Sequence, residues 1–242
     1  MKSKKEILDI LKGNLIVSCQ LHPEDPQWQD GCITAMAKAV IWGGAKGLRL
    51  EGIENIKAVR AITDLPIIGL VKRHRKDTEV FMTPNIDCVK AVIEAGADIV
   101  AVDGTDRLID GQRGCDIIPI ICQRYPNVLI FADCRDENDA LLSLSLGADI
   151  VAPTFYRFSS NAKSTDLPDW EMFARMCRLC KDKGIVMMEG KIWTPEDCIV
   201  ALHYGAHTVV VGTAITRAHI TTRRWCDHLD GFKEKRSLFY EK

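Results

Sequence analysis

The sequence lacks three features that would assign it to other classes of protein. None of its apolar runs approaches the 18 or so consecutive apolar residues of a membrane helix. Its formal net charge is only −1, so neither a nucleic acid nor a membrane surface is expected as a partner. The segment MKSKKEILDILKGN has no long apolar stretch, unlike a signal peptide or anchor. We therefore expect a cytoplasmic protein.

Metal-ligand spacing is also missing, although the chain has ten cysteines. Many of them lie among apolar residues, as buried thiols do. Cys177 and Cys180 form the only CxxC pair, but the surrounding pattern predicts the middle of a helix, whereas a redox pair would begin one. No further ligands follow at zinc spacing. We interpret this pair as structural and expect no metal site.

What the sequence does contain is a repeated turn. Four Gly-Ala pairs, at 44–45, 96–97, 147–148 and 205–206, each follow a helical pattern and precede a short apolar run. The glycines lie 52, 51 and 58 positions apart. A glycine at a helix C-terminus provides a left-handed turn, and a short apolar run after it is typical of a strand buried on both faces. Because one βα unit takes roughly 25–30 residues, this period predicts eight units and hence a (βα)8 TIM barrel.

The pattern predicts a single TIM-barrel domain over 1–242, with the barrel at about 14–229 and a C-terminal tail at 230–242. A short amphipathic helix at 4–12 is suited to cap the bottom of the barrel. Phe232, Phe239 and Tyr240 in the tail favour packing on a partner or on the barrel, and a loosely ordered tail is the equal alternative. We expect a homodimer. The predicted strands are 15–18, 47–51, 66–71, 98–102, 128–132, 149–153, 185–188 and 208–211.

Charged residues follow the apolar strands, on the face where barrel enzymes carry their active sites. Lys72 follows the third strand and Glu189 the seventh, so the two face each other across the mouth of an eight-stranded ring. That layout suits removal of a proton from one face of a carbon and its return to the other. Burial and the adjacent Arg73 would lower the pKa of Lys72 and make it a usable base. An ion pair between Lys72 and Glu189 is the structural alternative.

A second group of residues predicts a phosphate site. Gly190 follows the seventh strand, and Gly212 and Thr213 follow the eighth, before a short helix that leads to Arg217. Backbone N–H groups at these two strand ends bind phosphate in many barrels, and an arginine can add a bidentate contact.

These segments together resemble the N-acetylmannosamine-6-phosphate 2-epimerases of sialic-acid catabolism, from about Leu15 to Arg224. The family interconverts N-acetylmannosamine 6-phosphate and N-acetylglucosamine 6-phosphate without a metal or an organic cofactor, so the resemblance implies a phosphosugar as the small-molecule partner. The segments that carry it are LIVSCQ (15–20), GLRLE (47–51), DLPIIGLVKR (64–73), EAGADIVAVD (94–103), ADC (132–134), MEGKIWTPE (188–196) and GAHTVVVGTAITR (205–217).

The resemblance also implies individual roles. Lys72 would be the catalytic base and Glu189 its partner carboxylate. The sugar and its N-acetyl group would contact Gln20, Arg49 and Asp133. The 6-phosphate would bind to Gly190, Lys191, Gly212, Thr213 and Arg217, although the family's usual Glu-Gly-Arg is Glu-Gly-Lys here, which replaces a bidentate donor by a point charge.

Two other functions remain open at this stage. A Schiff-base aldolase on the same barrel would use Lys72 as a nucleophile and share the phosphate site. A catalytically silent barrel that binds a phosphosugar would need neither Lys72 nor Glu189.

Overall fold

Eight parallel strands form a ring in the computed structural model, which describes residues 2–74, 80–109, 111–156 and 167–240. The ring consists of β1 (Leu15–Cys19), β2 (Gly47–Glu51), β3 (Ile67–Leu70), β6 (Ile99–Asp103), β9 (Leu129–Asp133), β10 (Ile150–Ala152), β11 and β12 (Ile185–Val186 and Met188–Glu189) and β13 (Val209–Val211). β11 and β12 are halves of one strand, since β11 pairs with β10 and β12 with β13. β13 pairs in turn with β1, so the TIM-barrel prediction is confirmed.

Helices follow the strands around the outside of the ring. They are α2 (Cys32–Trp42), α3 (Ile53–Arg60), α4 (Ile86–Glu94), α5 (Ile117–Arg124), α6 (Glu137–Ser145), α7 (Trp170–Cys180), α8 (Pro195–His203), α9 (Thr213–Thr216) and α10 (Ala218–Tyr240), while α1 (Lys4–Leu11) precedes the first strand. No helix in the described ranges is both long and apolar enough to span a membrane.

The alternation of side chains along each strand separates two apolar cores. Phe131 points into the barrel, whereas its neighbours Ile130 and Ala132 pack against the helices. Asp133 lies two positions after Phe131, so it shares the interior face at the upper end of β9. Glu189 follows the interior residue Met187 at the same spacing. The period of two therefore brings polar side chains to the barrel mouth directly above an apolar interior.

The N-terminal helix closes the opposite end of the barrel, as the sequence predicts. Ile7 and Leu11 of α1 are buried with the interior residues. Lys4 pairs with Asp149 at 2.9 Å, and Nε2 of His207 lies 2.8 Å from the carbonyl of Leu8. These contacts fix α1 beneath the barrel, so the accessible cavity lies at the other end.

The four Gly-Ala turns have one geometry. Each glycine has a φ between 103° and 107°, in the left-handed region. The following alanine N–H donates to the carbonyl five residues earlier, at 3.0 to 3.3 Å. This pattern is the Schellman motif, which ends a helix and redirects the chain. The turns are at Gly44, Gly96, Gly147 and Gly205.

Two features differ from the sequence prediction. The connections after β3 and β6 contain short antiparallel hairpins, formed by β4 (Lys72–His74) with β5 (Val80–Met82) and by β7 (Leu108–Ile109) with β8 (Gln112–Arg113). The sequence pattern predicts a last helix that ends near 229, but α10 continues to Tyr240, because residues 232–240 are mostly good helix formers without proline. Phe232 is 62% exposed on this helix, and the side chains of Phe239 and Tyr240 lie outside the described residues.

Candidate active site

A cavity of about 400 Å³ opens at the carboxyl ends of the barrel strands. Nine of the ten residues that the sequence predicts for the site line it: Gln20, Arg49, Lys72, Glu189, Gly190, Lys191, Gly212, Thr213 and Arg217. Among the described residues, no group of three or more histidine, cysteine, aspartate or glutamate side chains is arranged to hold a metal ion.

Arg49 is the central charge of the cavity floor. The side chain is fully buried on β2, and its guanidinium lies 5.2 Å from the ring centroid of Phe131 below it. One terminal nitrogen donates to both carboxylate oxygens of Asp133, at 2.8 and 2.9 Å, and the other pairs with Glu189. Burial lowers the pKa of Arg49, but the charges of Asp133 and Glu189 raise it by more. Arg49 therefore stays a fixed cation beneath the ligand space.

Lys72 lies at the edge of this charged cluster. Burial lowers the pKa of its amine below the ordinary lysine value, and the positive charge of Arg49 lowers it further. Glu51, Glu189 and Asp133 oppose that shift in pKa without cancelling it. The sequence analysis expected Arg73 to lower the pKa of Lys72. The Arg73 side chain is exposed, and the cation that lowers this pKa is Arg49, on β2.

Glu189 forms an ion pair with Arg49. The structural alternative that the sequence left open was an ion pair between Glu189 and Lys72. Only Oε1 takes part in the contact with Arg49. Oε2 is buried and accepts no hydrogen bond from the described part of the chain. A buried carboxylate oxygen without a donor is costly in free energy, so this atom is suited to accept a hydrogen bond from a ligand hydroxyl.

Asp133 is placed differently from the other nine predicted residues. Its carboxylate is fully buried behind Arg49 and does not line the cavity. Burial raises the pKa of Asp133 to about 7, against the lowering effect of Arg49. In this position Asp133 orients the guanidinium of Arg49 from below.

Gln20 and Ser18 form the wall of the cavity at the end of β1. Nε2 of Gln20 donates to Oγ of Ser18 at 2.9 Å. Gly212 approaches the same strand so closely that an added Cβ would lie 3.3 Å from the Cβ of Ser18. A glycine at 212 thus lets the eighth strand end beside the first and keeps the adjoining part of the cavity open.

The segment after β12 forms the opposite wall. Gly190 and Lys191 both adopt left-handed φ angles, 101° and 59°. For a lysine this conformation is uncommon and stores strain, which tends to persist at functional sites. Nζ of Lys191 lies 5.3 Å from the ring centroid of Tyr156, and the hydroxyl of Tyr156 donates to Asp169 at 2.5 Å. These contacts hold the Lys191 cation against the cavity wall.

Arg217 follows α9 and reaches the cavity together with a partner that the sequence analysis missed. Its guanidinium pairs with Asp25, in the loop after β1. The carboxylate of Asp25 also accepts from the His22 N–H at 2.8 Å, and it lies 3.2 Å from Nε2 of His219. Burial raises the pKa of Asp25, but Arg217 and the His22 N–H lower it by more, to below the ordinary value. Nε of Arg217 is buried without an acceptor in the described residues.

Asp25 could not be assigned to the site from its sequence position, because it lies 192 residues from Arg217. The only available signal was its location in a loop after a strand, on the predicted catalytic face. Trp193 was also missed, although it lies two positions after Lys191; it lines the cavity and stacks with Arg224 of α10, whose Cζ lies 4.6 Å from the ring centroid.

Comparison with known protein families gives one consistent match. Residues 33–230 match the NanE family model, described as "Putative N-acetylmannosamine-6-phosphate epimerase". Proteins with the name "Putative N-acetylmannosamine-6-phosphate 2-epimerase" are similar along nearly their whole length. The one from Mycoplasma capricolum is 39% identical, covering 93% of this chain and 99% of the relative. The one from Caldanaerobacter subterraneus is 37% identical, with 96% of each covered.

Solved structures agree with the sequence comparisons. The N-acetylmannosamine-6-phosphate 2-epimerase from Clostridium perfringens superposes with a TM-score of 0.83 at 32% identity, covering 94% of this chain and 98% of that one. Thiamine phosphate pyrophosphorylase from Pyrococcus furiosus has a TM-score of 0.57 at 19% identity and shares only the fold.

Proposed function

The chain belongs to the N-acetylmannosamine-6-phosphate epimerase family, and we propose that it interconverts N-acetylmannosamine 6-phosphate and N-acetylglucosamine 6-phosphate by proton transfer at C2. The C2 hydrogen is acidic only when C1 is an aldehyde, so the sugar ring opens first. Neutral Lys72 then takes the C2 proton and becomes an ammonium ion, and the electron pair of the C–H bond moves into an enolate. A solvent-derived proton delivered to the opposite face of C2 gives the epimer, and the Lys72 ammonium ion releases its proton to water, which restores the neutral base.

Arg49 supplies the charge that this step needs. Negative charge grows on the aldehyde oxygen as C2 loses its proton, and a fixed cation at that position lowers the barrier. Asp133 and Glu189 hold the guanidinium in place before the substrate arrives. Asp133 acts by positioning Arg49, since it lies outside the cavity lining.

Glu189 moves a hydroxyl proton. Its Oε2 is the buried acceptor without a donor, and a substrate hydroxyl fits that requirement. Transfer of the O1 hydroxyl proton to this oxygen and on to O5 during ring opening, with the reverse during ring closure, leaves the carboxylate unchanged over one turnover. Gln20, beside Ser18 on the wall, contributes a hydrogen bond to the sugar or its N-acetyl group.

The 6-phosphate binds at the ends of the seventh and eighth strands. Gly190, Gly212 and Thr213 line the cavity there, and their backbone N–H groups are the proposed phosphate donors, while Lys191 and Arg217 bring the positive charge. Phosphate lies far from C2 in the substrate, so its binding energy holds the open chain in place while C2 reacts.

The observation that carries this proposal is the convergence of Lys72, Arg49 and Glu189 on one cavity, with the pKa of Lys72 lowered. It is tested by incubating the protein with N-acetylmannosamine 6-phosphate in deuterated water and following C2 by NMR. Product should carry deuterium at C2, and at long times the substrate pool should carry it too. Retention of all the original C2 hydrogen would contradict the mechanism, and fragments from C–C cleavage would favour an aldolase.

A pair of lysine variants assigns the base. Lys72→Met keeps the apolar stem and removes the amine, so both turnover and deuterium exchange should fall by at least about 10²-fold, the loss of a general base. Lys57→Met, at a surface lysine paired with Glu54, is the matched control and should retain wild-type turnover. A Lys72→Met protein with a tenth or more of the wild-type rate would remove Lys72 from this role.

We also propose that the protein works as a cytoplasmic homodimer that binds no nucleic acid. The net charge of −1 argues against nucleic-acid binding. The ten free cysteines support the cytoplasmic location. Trp225 and Phe232 of α10 are 70% and 62% exposed, and an apolar groove lined by residues of β1, α2 and α9 lies open. A second copy would cover such surfaces. Trp225→Glu should shift the mass measured by light scattering from dimer to monomer, whereas Arg178→Glu on α7 should not.

A further inference from the structure

Thr83 has a backbone conformation that its residue type disfavours. It follows β5, has a φ of 44° and is fully buried. A β-branched residue in the left-handed region is an outlier, and such strain persists only where surrounding contacts enforce it. Thr83 does not line the cavity, so its conformation is not explained by contact with the substrate.

Three hydrogen bonds enforce this conformation of Thr83, and two of them are with Val71. The N–H of Thr83 donates to the carbonyl of Val71 at 2.7 Å, and Oγ1 of Thr83 accepts from the Val71 N–H at 3.3 Å. The same hydroxyl donates to the carbonyl of Ala101, on β6, at 2.6 Å. The amide and the hydroxyl of Thr83 therefore hold both backbone polar groups of Val71. The same hydroxyl links Val71 to β6, the fourth strand of the barrel.

Val71 is the residue at which the chain leaves the barrel sheet. β3 ends one residue before it, and β4 begins one residue after it with Lys72. Lys72 pairs with Met82 across the hairpin, and Thr83 comes directly after Met82. The Thr83 contacts thus fix the backbone directly before Lys72, at the point where the Lys72 side chain enters the cavity.

We propose that Thr83 is a positioning residue for Lys72, and that its hydroxyl holds the amine inside the charged cluster of the cavity floor. The proposal rests on the proposed function only in taking Lys72 as the base. The charged groups around the amine are Arg49 and Glu51 of β2, Asp133 of β9 and Glu189 of β12. Small movements of the Lys72 backbone change the distances to all four and the exposure of the amine to water.

The test compares Thr83→Val with Thr83→Ser. Valine keeps the shape and removes the hydroxyl, so kcat should fall about tenfold or more while KM changes less than twofold. Serine keeps the hydroxyl and should restore kcat. The control is Thr208→Val, at a buried threonine whose hydroxyl donates to the Asn14 carbonyl at the closed end of the barrel. It should lower thermal stability without changing kcat.

A second readout does not depend on catalysis. The rate of Lys72 acetylation by acetic anhydride, followed across pH by mass spectrometry, reports the pKa of the amine. In Thr83→Val this pKa should move up toward the ordinary value of about 10.4, because the freed amine gains water. If Lys72→Met proves fully active, the proposed function fails, but this labelling experiment still tests the positioning.

A folding failure of Thr83→Val would leave Thr83→Gly as the decisive variant. Glycine adopts the left-handed conformation without strain and lacks the hydroxyl, so it should fold and show the same loss of kcat and the same rise in the pKa of Lys72. A folded Thr83→Val or Thr83→Gly protein with wild-type kcat and an unchanged Lys72 pKa would overturn the proposal.

Discussion

Glu189 pairs with Arg49 rather than with Lys72, although Lys72 and Glu189 follow opposite strands of the barrel and both line the cavity. The carboxylate is therefore held by a permanent cation and forms no ion pair with the proposed base, although its charge still raises the pKa of Lys72. This arrangement separates two tasks: Arg49 fixes the carboxylate, and Lys72 remains available to accept a proton.

Glu189→Gln should preserve the fold and reduce kcat by about 10²-fold or more, since an amide can accept a hydrogen bond from Arg49 but cannot take up a proton. The rate of epimerisation is measured by NMR, with circular dichroism to check folding. Glu137→Gln, at a carboxylate paired with Arg175 outside the cavity, is the control. Near-normal turnover in Glu189→Gln would reduce Glu189 to a structural partner of Arg49.

The pH dependence should report the charges around Lys72. The base acts as the neutral amine, which is populated above its pKa, so kcat/KM should rise with pH through that pKa. Because burial and Arg49 lower the pKa, the rise should lie below the value of about 10.4 for a free lysine. Glu51 raises this pKa, so Glu51→Gln should move the rise to lower pH. Glu54→Gln, at an exposed carboxylate on α3, should leave it unchanged; a shift to higher pH in Glu51→Gln would contradict this account.

Arg217→Ala should weaken phosphate recognition selectively. Loss of a charge-assisted contact of about 1.5–3 kcal/mol, together with lost positioning, should lower kcat/KM for N-acetylmannosamine 6-phosphate by about 10²-fold. The unphosphorylated sugar, a poor substrate, should react as slowly as with the wild type. Arg223→Ala, at an exposed arginine on α10, serves as the control. An equal loss on both sugars would place Arg217 outside the phosphate site and leave its pair with Asp25 as a structural contact.

Asp133→Ala should destabilise the protein strongly. It removes one carboxylate from a fully buried arginine, and breaking a buried ion pair costs about 3–5 kcal/mol. Asp116→Ala breaks the surface pair with Arg113, which costs about 0–1 kcal/mol. Urea unfolding of both variants gives the comparison. Equal midpoints would mean that the Arg49–Asp133 pair adds nothing to stability.

Much of the barrel could be predicted because its signals are local. A Gly-Ala pair after a helical pattern indicates a Schellman turn, and an apolar run after it indicates a buried strand, without reference to distant segments. The same reasoning located polar residues at strand ends, and nine of ten proposed site residues line one cavity. The roles of those residues stay predictions.

What the sequence could not reveal depends on contacts between distant segments. Asp133 follows a strand as Lys72 does, yet it lies behind Arg49 because the larger guanidinium occupies the space above it. The partner of Arg217 comes from a loop 192 positions away, and nothing in either local sequence marks the pair. Thr83 looks like an ordinary turn residue until its φ angle and its bonds to Val71 and Ala101 are known.

The four Gly-Ala turns precede the strands that they feed, so they lie at the end of the barrel away from the cavity. Substitutions in these turns change the free energy of unfolding without altering a residue that contacts the sugar. A Cβ added at Gly44 would meet open space and one added at Gly96 would be crowded by Arg60, but at both positions the left-handed φ strains any residue other than glycine. The lower rim of this barrel thus contains turns that set the stability of the fold and favour glycine, while the chemistry is confined to the upper rim.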